Sequence, residues 1–151
     1  MIIYYLMIAI AFILDQASKI SIRNSFHLYE KKEIISNFFY MTYVENTGAA
    51  WSLLRGGRWF FVSVTAVMII VLFIALFKVK HKLFRTSAAI IIGGGLGNLI
   101  DRILYGHVTD FIDTYFWGYD FPVFNLSDSF VVIGTILLGI YILKSEGAKK
   151  K

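Results

Sequence analysis

A chain of 151 residues that is 58% hydrophobic and 17% charged, with a mean hydropathy of +0.68, carries more apolar surface than a soluble domain of this size can bury. The absence of cysteine excludes disulfides, thiolate metal sites and a cysteine nucleophile. The net charge of +5 forms no basic stripe interleaved with aromatics, so no nucleic-acid partner is implied.

With Pro122 as the only proline and no Pro/Gly/Ser-rich linker, residues 1–151 read as a single integral-membrane domain. A helix needs about 20 apolar residues to cross a hydrocarbon core of ~30 Å. Residues 2–22 form the first such run, interrupted late by Asp15 and Lys19. It lacks a basic leading segment and a small-x-small cleavage site, so it reads as a retained span. Residues 24–57 follow, rich in β-formers such as Ile34-Ile35 and the run from Phe38 to Val44, and predict a small sheet lying on the membrane. Residues 59–77 are a second span without a charge. The 78–85 loop holds Lys78, Lys80, Lys82 and Arg85 and no acid. Residues 86–105 are a third span, ending in Asn98, Asp101 and Arg102. Residues 106–123, with Gly106, Gly118, Pro122 and three aspartates, read as a loop with one short amphipathic helix. Residues 124–143 are the fourth span, with Asp128 near its start, and the tail holds Lys144, Lys149, Lys150 and Lys151 against Glu146. The positive-inside rule puts the 78–85 loop and both termini in the cytoplasm and leaves 24–57 and 106–123 outside. The expectation is an all-α membrane protein: four transmembrane helices with a small extracytoplasmic β-sheet region.

Charges inside a span cost about 2.5–3.5 kcal/mol each and face the bundle interior or water. Asp15 and Lys19 stand at i, i+4, which predicts a local ion pair with Lys19 snorkelling outward; Asp15, more deeply placed, is the better functional candidate. Asn98, Asp101, Arg102 and Tyr105 share one helical face, which must point inward. Asp101 reads as a structural member, whereas the planar fork of Arg102 suits a carboxylate or a peptide carbonyl. Gly93-Gly94-Gly95-Leu96-Gly97 lacks the continuation of a phosphate loop and reads as close helix packing. Asp113 and Asp120 read as solvated loop acids; Asp128 is either a first-turn acid or a working group. Residues Glu45 to Ser52 suggest a turn with exposed backbone.

His27, His81 and His107 show no metal-ligand spacing, so zinc hydrolysis is unsupported. Paired carboxylates are supported. Two of them about 4 Å apart at an effective dielectric near ~20 repel by roughly 4 kcal/mol, about three pK units, so they share a proton. One then activates a water while the other polarises a carbonyl, which is aspartic-protease chemistry. A proton- or ion-coupled transporter using Asp15, Asp101 and Asp128 has the same physics, although neither an internal repeat nor broken helices are visible. A non-catalytic subunit packing through its glycines is another reading, and an intramembrane protease of the Gly-x-Gly-Asp type fails because Asn98 follows Gly97.

Four blocks carry a resemblance: Asp15-Gln16-Ala17-Ser18-Lys19; Asn46-Thr47-Gly48-Ala49-Ala50-Trp51-Ser52; Gly97-Asn98-Leu99-Ile100-Asp101-Arg102 with Gly106 and Val108 to Ile112; and Phe124 to Ser129. In this order and spacing the chain resembles, over nearly its whole length, the lipoprotein signal peptidases, the type II signal peptidases of bacteria. The resemblance implies that Asp110 and Asp128 are the catalytic dyad. It implies that Asp15, Asn46, Asn98, Arg102 and Asn125 line the substrate or inhibitor pocket. It implies a monomer in the bacterial cytoplasmic membrane, with its site near the outer leaflet. That enzyme cleaves lipid-modified prolipoproteins before the diacylglyceryl-cysteine, uses no metal or organic cofactor, and is blocked by globomycin. Ser127 stands where alanine is usual, and Trp51, where phenylalanine is common, fits an interfacial lid.

Overall fold

Four apolar runs of membrane-crossing length each become one helix in the computed structural model, which describes residues 1–49 and 53–149. In chain order the elements are α1 (Ile2–Ser25), β1 (Lys31–Ile35), β2 (Phe39–Asn46), α2 (Arg58–Lys78), α3 (Lys82–Tyr105), β3 (Val108–Phe116), β4 (Tyr119–Asp120) and α4 (Leu126–Lys149). The α1–α2 and α3–α4 connections carry all four strands, so the sheet sits at one end of the bundle. The basic 78–85 segment, the start of α1 and the end of α4 lie at the other. There Leu76, Phe84, Ala88 and Ile92 close a buried apolar cluster.

The helix at the centre is α3. It buries 56% of its most apolar window, whereas α2, the most apolar helix, buries 6% and turns its side chains outward to lipid. The glycine run explains how α3 holds three neighbours. A Cβ at Gly93 would stand 2.7 Å from Ala11 Cβ of α1; at Gly94, 2.6 Å from the Ser127 carbonyl of α4; at Gly95, 3.1 Å from Met68 Cε of α2. Successive residues point about 100° apart around a helix, so three adjacent glycines admit three helices. A fourth, Gly97, leaves room where Ser127 Oγ and the Asp15 carboxylate converge. The helix ends at Gly106, whose φ of +82° is the left-handed cap that favours glycine.

The sheet is antiparallel in the order β1-β2-β3-β4. Opposite β3, Met41 pairs with Ile112 and Val44 with Asp110, so β2 accommodates one extra residue between these pairs. Such bulges bend a strand and re-aim its side chains. The loop and amphipathic helix expected over 106–123 are not there: Val108–Phe116 is a nine-residue strand in the middle of the sheet. Its aspartates disguised a run otherwise made of β-branched and aromatic residues. The acids are tolerated because each has a partner: Asp110 accepts from Asn46 and Asn125, and Asp113 pairs with Lys31. A tight turn at Trp117 and Gly118, both at positive φ, closes the hairpin to β4.

Candidate active site

Two carboxylates meet at the sheet end of the bundle, one from a strand and one from a helix start. Asp128 is the third residue of α4, and Asn125 immediately precedes that helix. Asn125 Oδ1 accepts from the Asp128 amide at 3.0 Å, and Asp128 Oδ2 accepts from the Asn125 amide at 3.1 Å. This reciprocal cap satisfies two helix-end donors and pins the Asp128 side chain. The Asn125 side-chain amide then donates to Asp110 Oδ1 at 2.7 Å, so one residue bridges both acids.

The remaining oxygens are held by amides from two further elements. Asn98 of α3 donates to Asp128 Oδ1 at 2.7 Å, and Asn46 at the end of β2 donates to Asp110 Oδ2 at 2.9 Å. Asn46 is itself set by a turn in which its Oδ1 accepts from the Gly48 amide. Asp110 is only 3% exposed. Burial first, and the Asp128 carboxylate second, push its carboxyl up to about 7, against the Asn46 and Asn125 amides that pull it down.

A cavity of about 540 Å³ opens beside the pair. Its polar wall includes Asn46, Gly48, Asn98, Arg102, Asp110 and Asp128, and its apolar wall includes Phe121, Phe124, Val132 and Ile133. Val132 and Ile133 are 56% and 49% exposed on α4, so the apolar wall runs out onto the lipid-facing surface of that helix. Arg102 donates to the Gly48 carbonyl at 3.0 Å and lies 4.9 Å above the Phe61 ring, tying the 46–49 turn to α3 and α2.

Of the seven residues expected at the pocket, five border the cavity and two do not. Asn125 is fully buried behind the pair. Asp15 is also fully buried: its Oδ1 accepts from the Ser127 amide at 2.9 Å, and its Oδ2 meets Lys19 at 2.9 Å. The expected snorkelling of Lys19 is wrong. Its ammonium is fully buried, because Asp15, Asp101 at 3.1 Å and Asn98 Oδ1 at 2.9 Å together satisfy its three donors.

Asp101 is the structural member anticipated. It accepts from Gln16 and from the Thr109 amide, which fastens β3 to α3 one residue before Asp110. Tyr105 departs from the inward face: it is 49% exposed beyond the bundle, stacked on His107 and beneath Arg23. Asp113 is no solvated loop acid; it is buried in the sheet and paired with Lys31. Gln16 and Thr109 carry no sequence pattern of their own that marks these roles; each is distinguished only by adjoining an acid, Asp15 in the first block and Asp110 in the third. The expected lid residue Trp51, with Ala50 and Ser52, lies outside the described residues.

The family model described as Signal peptidase (SPase) II matches residues 7–144. The chain is similar to a lipoprotein signal peptidase of Listeria monocytogenes serotype 4a, 40% identical over 97% of this chain and 99% of that one. It is also similar to the lipoprotein signal peptidase of Halothermothrix orenii, 42% identical over 94% and 96% respectively. Among solved structures it resembles a bacterial membrane enzyme with a TM-score of 0.89 and 37% identity, over 98% of this chain and 92% of that one.

Proposed function

This chain belongs to the signal peptidase II family, a family of peptidases, and we propose that it removes the signal peptide from diacylglyceryl-modified prolipoproteins by aspartic chemistry, cutting before the lipidated cysteine of the lipobox. The observation that carries this reading is the bridging of Asp110 and Asp128 by Asn125 at the polar end of a largely apolar cavity. A pair so coupled holds one proton between them at neutral pH. The ionised member takes a proton from water, whose oxygen adds to the scissile carbonyl carbon. The protonated member gives its proton to the carbonyl oxygen. When the tetrahedral adduct collapses, one of its hydroxyls returns a proton to the ionised member, the C–N bond breaks, and the leaving amine of the lipidated cysteine takes a proton from the other member, so the pair ends with the single proton it began with.

In this account Asn46, Asn98 and Arg102 touch the substrate peptide or a globomycin-type inhibitor, while Asn125 and Asp15 act from behind the pocket wall. The apolar wall suits a substrate already embedded in membrane lipid. The basic loop and the basic tail support a reading in which both termini face the cytoplasm of a bacterial cell and the site lies near the outer leaflet. A single monomeric chain supplies the whole constellation, and the chemistry calls for no metal or organic cofactor.

The test is to incubate the purified protein with a prolipoprotein in lipidated and unlipidated form and follow signal-peptide loss by gel shift. Cleavage of the lipidated form alone is expected. Equal cleavage of both would contradict the assigned substrate.

A further inference from the structure

Lys19 has no part in the chemistry above, yet its charge is buried within one residue of the pair. An ammonium has three donors and no acceptor. Whatever atom of Asn98 faces Lys19 must therefore be the amide oxygen, which stands 2.9 Å from Nζ. The second bond to that oxygen comes from Asn125 Nδ2 at 3.2 Å, and Asn125 cannot turn over, because its own oxygen accepts from the Asp128 amide. The Asn98 amide nitrogen is left facing Asp128 Oδ1 at 2.7 Å. Asp128 Oδ2 accepts from the Asn125 backbone amide in the first turn of α4, where the helix dipole favours an anion. Asp110 sits on a strand, with no helix terminus of its own behind it.

We propose that Lys19 is a positioning residue for the pair: by fixing the orientation of the Asn98 amide it keeps Asp128 as the ionised member and leaves the shared proton on Asp110. The proposal rests on the peptidase reading given above. Asp128 becomes the base that takes the proton from water, and Asp110 the acid that protonates the carbonyl oxygen. Without Lys19, the Asn98 oxygen keeps only the longer 3.2 Å bond from Asn125, so the amide is held less firmly and its oxygen turns more readily toward Asp128, where an oxygen favours a protonated carboxyl. The other charged groups around Asp128 are Asp110 from β3, Asp101 and Arg102 from α3, and Asp15 from α1; Arg102 is engaged with Gly48, and both Asp15 and Asp101 face Lys19.

The experiment is steady-state cleavage of a lipidated prolipoprotein by the full-length protein in detergent, from about pH 5 to about pH 9. With Lys19→Met, kcat at neutral pH should fall by about tenfold or more, KM should stay within about twofold, and the acidic limb of the profile should move up by about one pH unit. Lys19→Arg, which keeps the donors, should restore the limb. Asn98→Leu should shift the limb in the same way, and Lys19→Met added to it should cost less than about a further twofold, since the effect runs through Asn98. If Lys19→Met does not fold, Lys19→Met with Asp15→Asn relieves the uncompensated acid and carries the same expectation. An equal loss at every pH, or additive losses from the two sites, overturns the proposal. No cleavage by the wild type contradicts the peptidase reading itself, whereas an active wild type with an unshifted variant contradicts only the role of Lys19.

Discussion

Asn125 makes four hydrogen bonds that join the two acids, Asn98 and the start of α4. Asn125→Ala should therefore do two things. Loss of the cap should cost about 1 kcal/mol, read as a lowered Tm. Loss of the bridge should cut cleavage by about a hundredfold or more, read as kcat. The pH dependence also belongs to this scale. Cleavage should fall as pH rises past about 7, because Asp110 then loses the proton that the pair must hold. Stability follows the same sign. Asp110 binds its proton more tightly in the fold than in the unfolded chain, so its contribution is full below about 4 and is lost as pH rises toward about 7. Thermal melts across that window should show the decline in the wild type and less of it in Asp110→Asn. Asp15, Asn98, Arg102 and Asp128 stand out in the sequence as polar residues within or at the ends of apolar runs, whereas Asp110 and Asn125 are marked only by the resemblance. Their partners do not stand out. That Lys19 turns inward depends on Asp101 and Asn98, about eighty positions away, and helical spacing alone pairs it only with Asp15.

Among the elements, the glycines of α3 decide whether the bundle can close. Gly94→Ala and Gly97→Ala should each destabilise the protein by about 1–3 kcal/mol, because the added methyl meets the Ser127 backbone in one case and Ser127 Oγ with Asp15 in the other. Gly139 of α4 has open space around it, so Gly139→Ala should be neutral or stabilising by up to about 1 kcal/mol. Melting in one detergent compares all three; a Gly139→Ala loss equal to that of Gly97→Ala would contradict this account of the packing. The helices themselves were legible from hydropathy, and so was the β1–β2 region from its β-formers. Strand β3 was not. Asp110, Asp113 and Thr109 break the apolar alternation that marks a half-buried strand, and only the pairing of each with a distant group makes their burial tolerable.

At the scale of the whole molecule, the helix connections put the sheet, the cavity and both acids at one end and the basic loop at the other. Because the chain has no native cysteine, single substitutions report on sidedness. Trp117→Cys should react with a membrane-impermeant maleimide on spheroplasts, and Lys80→Cys only after permeabilisation. The reverse pattern would place the site on the cytoplasmic face. The central claim is that Asp110 and Asp128 together carry the cleavage, and its most direct measurement is the single-turnover rate on a lipidated prolipoprotein for Asp110→Asn and for Asp128→Asn. Each should lower the rate by about a thousandfold or more while the variant still folds in detergent; full activity in either single variant would contradict the account.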